Sequence, residues 1–171
     1  MFHFFPAWSG LHPVVVHFPV ILLMTAPLLV IAGAALPTAR RRPFLAAALT
    51  LMVLGTGMTY LAVATGESAR RTVASGPALS SLLEGHRTLA ETTREVFSVL
   101  TLAFAVLLFA HKLMRRELDS WIRTSLLAAF LLFYGTGAVL LIDTTLKGTR
   151  LVRVLGAGRA VTSNLPSEGG R

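Results

Sequence analysis

Two histidines stand at the head of the first long apolar run, in the stretch Leu11 to Leu23, LHPVVVHFPVILL. Imidazole is costly to place in hydrocarbon without a partner. His17 lies at least one helical turn inside the run, so it needs a reason to be there: either it is a buried, hydrogen-bonded histidine or it is a ligand, first of all to the iron of a haem held between membrane helices. His12 and His17 are five residues apart, which is ~140° of helical rotation, so one metal does not take both from a single helix. A third histidine, His86, opens a later helix in the sequence GHR. His17 and His86 are therefore the expected axial pair, sandwiching a flat porphyrin. His12 would contact its propionates or ligate a second haem. A porphyrin edge also needs helix faces without side chains, and Gly55, Gly57, Gly135 and Gly137 offer them. Arg70, Arg71 and Arg87 are candidates to pair with propionates. Each of these features has a plainer reading. Histidines at helix ends are often interfacial polar residues, and glycines in spanning helices often serve close packing. Glu84, Glu91, Arg94 and Glu95 read most simply as a solvated face with local ion pairs.

Composition narrows the chemistry. The 171 residues are 54% hydrophobic and 14% charged, and the mean hydropathy is +0.68. A chain this apolar reads as a multi-span membrane protein of one domain. There is no cysteine, which excludes thiolate metal sites, iron–sulfur clusters and covalently attached c-type haem. Any haem is then of the non-covalent b type, and a quinone is a further candidate ligand. No P-loop, H-E-x-x-H or nucleophile elbow is present, so hydrolytic or nucleotide chemistry has no support. The net charge of +8 resides mostly beside apolar runs, where membrane topology explains it without nucleic acid.

Four helices must position these residues. They are expected over roughly 13–36, 44–65, 86–115 and 121–143. Pro19 and Pro27 are expected to bend the first of them. Arg40, Arg41 and Arg42 fall in the first connection, residues 74–85 read as a surface loop or a loop with a short interfacial helix, and residues 147–171 as an extramembrane tail. Phe2, Phe4, Phe5 and Trp8 suggest an interfacial anchor, and MFHFFPAWSG lacks the basic start of a cleavable signal. The density of basic residues in the two short loops places those loops in the cytoplasm and both termini on the outer, periplasmic side. The expected fold is thus an all-α, integral membrane four-helix bundle in a bacterial cytoplasmic membrane. With four spans, His12, His17 and His86 share one face. Gly-Thr-Gly in the second helix of each pair, at 55–57 and 135–137, hints at a duplication.

The opening LHPVVVHFPVILL, the GHR around His86 and the ending GTRLVRVLGAG together resemble a family of four-span bacterial membrane proteins known as domain of unknown function 2231. The resemblance covers roughly His12 to Gly158. It implies a b-type cytochrome, by the family's membrane histidines, and electron transfer beside c-type cytochromes. The family's ending usually reads Gly-Gly-x-Leu-Val-Tyr-x-His-Gly. Here Leu151, Val152 and Gly156 match, whereas Arg153 and Leu155 replace the Tyr and the His. If that His is a ligand in the family, one site is missing here. The expected function is a haem b-binding electron-transfer subunit of a larger complex in the lipid bilayer, exchanging electrons with a quinol, a membrane partner or a periplasmic c-type cytochrome. The alternative is a cofactor-free accessory subunit that stabilises a larger membrane complex.

Overall fold

The computed structural model describes residues 11–71, 77–114 and 119–163. The aromatic cluster at residues 2–8 lies outside them. The described chain is helical throughout: α1 (His12–Val15), α2 (His17–Ala35), α3 (Thr38–Arg70), α4 (Pro77–Met114) and α5 (Ser120–Ser163). Four stretches are long and apolar enough to cross a membrane: His12–Ala35, Arg40–Arg70, Leu79–Phe109 and Trp121–Val154. The first joins α1 and α2.

Proline chemistry explains the shape of this first span. Pro19 has no N–H to offer the carbonyl of Val15, and its ring crowds that carbonyl, so α1 ends there and α2 starts anew at His17. Pro19 then sits in the first turn of α2, where an N–H would lack a helical partner in any case. Pro27 lies deeper inside α2 and deprives the Leu23 carbonyl of its helical partner. The hydroxyl of Tyr134 on α5 donates to that carbonyl at 2.6 Å, with both residues buried. A defect in one helix is thereby repaired by another, as a bundle in lipid requires.

The other helices outrun their apolar cores. The arginines of the first connection fall inside α3, and Arg41 reaches back to donate to the Gly33 and Ala34 carbonyls at 3.1 Å each. These are end carbonyls of α2, so Arg41 caps that helix as a cation at its negative end. Residues 77–85, expected as loop, form the first turns of α4. The expected tail continues α5 to Ser163, a helix of 44 residues.

The spans close into a ring: α2 packs on α3, α3 on α4, α4 on α5, and α5 back on α2. The core is apolar, with Leu23, Ala26 and Val30 from α2, Leu45, Ala48 and Met52 from α3, Phe97, Leu100 and Phe104 from α4, and Leu127, Phe130 and Tyr134 from α5. Phe97, Tyr134, Phe130 and Phe104 form an aromatic chain with ring centroids 4.9 to 5.7 Å apart.

This core reveals an internal repeat. Superposing His12 on His86 brings buried Leu23, Ala26 and Val30 onto buried Phe97, Leu100 and Phe104. On the second helices, Leu45, Ala48, Met52 and Gly55 fall onto Leu127, Phe130, Tyr134 and Gly137. The two halves are thus equivalent in burial as well as in connectivity. The matching glycine of Gly55 is Gly137, not Gly135, so the two Gly-Thr-Gly triplets are two residues out of register.

Candidate functional site

The repeat places His12 and His86 at equivalent points of the two halves, and the fold brings them together at one end of the bundle. Both rings are partly buried, and they are near enough to act on each other electrostatically. Each lies against a glycine of its partner helix. A Cβ at Gly66 of α3 would fall 3.0 Å from Cε1 of His12, and a Cβ at Gly148 of α5 would fall 3.0 Å from Cε1 of His86. One turn before each glycine, a backbone carbonyl faces the ring: Ala62 for His12 and Thr144 for His86. Gly66 and Gly148 therefore make matching seats, each admitting an imidazole edge where any side chain would intrude.

The hydrogen bonds of the two rings differ. The Thr65 hydroxyl donates to the Leu61 and Ala62 carbonyls, at 2.9 and 3.1 Å. Its single proton is thereby engaged within α3, so its oxygen accepts from His12 Nδ1 at 3.1 Å. In the tautomer with its proton on Nδ1, His12 donates to Thr65 and carries its lone pair on Nε2. In the second half, Lys147 occupies the place of Thr65. Nδ1 of His86 faces no such hydroxyl and is buried without a well-formed hydrogen bond.

His17, the expected first ligand, is placed elsewhere. It is exposed, and its Nδ1 donates to the Pro13 carbonyl at 2.7 Å, at the break between α1 and α2. It shares the outward side of the helix with Val14, Phe18 and Ile21. The pair that converges is therefore His12 with His86, not His17 with His86.

The glycines also separate by role. A Cβ at Gly55 would fall 2.7 Å from Leu23, and one at Gly137 would fall 2.9 Å from Leu100. These two are filled by neighbouring leucines and serve helix packing. Gly57 and Gly135 are exposed and face open space. The glycines that meet imidazole, Gly66 and Gly148, sit eleven residues beyond the packing pair. That spacing, repeated in both halves, was the available signal in the sequence.

Arginines ring this end. Arg87 donates to Glu91 at 3.0 Å, and Arg70 and Arg71 both meet Glu67, at 3.2 and 3.7 Å. Glu67 and Arg87 also attract each other across the α3–α4 contact. Among the described residues, no group of three or more His, Asp or Glu side chains gathers as a metal cage. The donor set here is two imidazoles. Leu155 lies in α5, and its side chain is outside what the structure describes.

The family model for a predicted membrane protein, DUF2231, matches residues 9–160, so the chain belongs to that family. No curated protein and no solved structure matches the chain.

Proposed function

For this member of a family of predicted membrane proteins, we propose a haem b-binding electron-transfer subunit in which His12 and His86 would hold the haem. The observation that carries the reading is the convergence of two histidines from equivalent places in the two halves, each seated on a glycine. The residues fit such a group on three counts. Two neutral imidazoles without a carboxylate cage suit a haem better than a hydrated metal ion. The glycines at 66 and 148 let the two rings lie against α3 and α5, where a Cβ would meet them at 3.0 Å. Nδ1 of His86 is buried without a well-formed hydrogen bond, although the Thr144 carbonyl faces the ring.

The chain's own residues would act as follows. Thr65 holds the His12 proton on Nδ1, so that Nε2 presents its lone pair. Gly66 and Gly148 leave room for the Cε1 edges of the two rings. Arg70, Arg71 and Arg87 supply cations for propionates at the same end. The buried core beyond the site excludes water. Haem, when bound, supplies one-electron chemistry, and the protein tunes it through ligand identity and burial.

The density of basic residues in the two short connections, Arg40 to Arg42 and Lys112 to Arg123, supports an orientation with both termini on the periplasmic side. The site would then lie where a periplasmic c-type cytochrome or a quinol could exchange electrons. The test is the absorption spectrum of protein produced with ample haem. A Soret band and a reduced α-band are expected. A protein that purifies folded but colourless would instead be a cofactor-free accessory subunit.

A further inference from the structure

The outward face of α4 is chemically unlike its counterpart in the other half. Exposed along it are Thr88, Thr92 and Glu95, followed by Val99, Leu102 and Val106. In the repeat, Thr88 corresponds to Val14, Thr92 to Phe18 and Glu95 to Ile21. Those three are 60%, 47% and 63% exposed, and all suit hydrocarbon. Positions at one depth are therefore apolar on α2 and polar on α4.

Depth makes this contrast significant. A span of ~20 residues, counted back along α4 from His111, begins near Glu91. Glu95 then lies about one turn, ~6 Å, inside the hydrocarbon, with Thr92 at the boundary and Thr88 just outside it. Its side chain is 70% exposed and meets the neighbouring Arg94 only at 3.4 Å. Arg94 itself turns toward α3, over the ring of Tyr60 at 5.2 Å. A carboxylate on a lipid-facing position at this depth is unfavourable and marks contact with another polar group.

The hydrogen bonding of this face states what that group must be. The Thr88 hydroxyl donates to the Glu84 carbonyl at 3.0 Å, and the Thr92 hydroxyl donates to the Thr88 carbonyl at 2.8 Å. Their protons point into the helix. What the face offers outward is lone pairs and negative charge, so its complement is a donor and a cation. A second copy related by two-fold symmetry would set Glu95 near its own image, which disfavours self-association.

We propose that the face formed by Thr88, Thr92 and Glu95 docks a membrane-spanning helix of a different protein, one that presents Lys or Arg at the depth of Glu95. The proposal does not depend on haem. It is tested with the full-length protein in its native membranes, carrying a photocrosslinking residue at position 92 or, as the repeat's own control, at position 18. The expected result is a protein adduct from position 92 and none from position 18. The captured protein should have a span bearing Lys or Arg. The adduct should be lost in E95K and regained when the partner's cation is changed to Glu. Should E95K fail to accumulate, E95L serves, and loss of the adduct is again expected. Equal adducts at both positions, an adduct only with a second copy, a partner span without a cation, or an adduct unchanged by the Glu95 variants would overturn the proposal.

Discussion

At the scale of single residues, the bundle depends on polar atoms finding partners where water cannot supply them. Pro27 leaves the Leu23 carbonyl unpaired, and Tyr134 fills the gap. Tyr134→Phe should lower stability in detergent by about 1 kcal/mol, within the range for hydrogen bonds in membrane proteins. The loss should be smaller in a Pro27→Ala background, where Leu23 regains a helical N–H. A thermal or denaturant double-mutant cycle measures the difference, and equal losses in both backgrounds would contradict this role. Thr65→Val should free His12 from its hydroxyl partner and weaken haem retention about tenfold or more, by analogy with other outer-shell hydrogen bonds. A haem titration reads that change. His12 and His86 were legible in the sequence as functional candidates. Their pairing was not, because depth in an apolar run does not tell which side of a helix faces the core. His17 lies deeper in the run than His12, yet it shares the outward side with Phe18 and Ile21.

At the scale of elements, the spans were legible because each apolar run is long and bounded by arginines or polar residues. The helix ends were not. Arg40, Arg41 and Arg42 look like loop in a hydropathy reading, but basic residues are good helix formers, and α3 begins at Thr38. The same holds for α5, where the Leu- and Arg-rich segment after Asp143 continues the helix beyond the apolar core. Arg41 gains a role that topology alone does not give it, as the cap of α2. Arg41→Ala should remove the side-chain partner of the Ala34 carbonyl and leave the Gly33 carbonyl with the Leu36 N–H alone. Faster amide exchange confined to residues 33–36 is expected, with the core unchanged. Uniform exchange across the bundle would argue against a local cap.

At the scale of the whole molecule, two equivalent helix pairs enclose one core, and the histidine site lies where the pairs meet. The repeated Gly-Thr-Gly suggested this duplication, but its register misleads by two residues. The true correspondence is carried by buried positions and by the glycines at 55, 66, 137 and 148, which a tripeptide match does not register. Asymmetry between the halves then marks specialisation, as with Thr65 against Lys147 and Ile21 against Glu95. The proposed orientation can be tested cleanly because the chain has no cysteine. A single cysteine at Arg71 should react with an impermeant thiol reagent from the periplasmic side, and one at Arg42 should not. The reverse pattern would invert the topology.

Whether His12 and His86 hold a haem is decided by one comparison. Spectra of haem-supplied wild type, His12→Ala, His86→Ala and His17→Ala should be recorded oxidised and reduced, at matched protein. A bis-imidazole spectrum is predicted for wild type and His17→Ala, with loss or marked change of the reduced α-band in His12→Ala and in His86→Ala. A band that survives both of those substitutions, or one that disappears with His17→Ala alone, would contradict it.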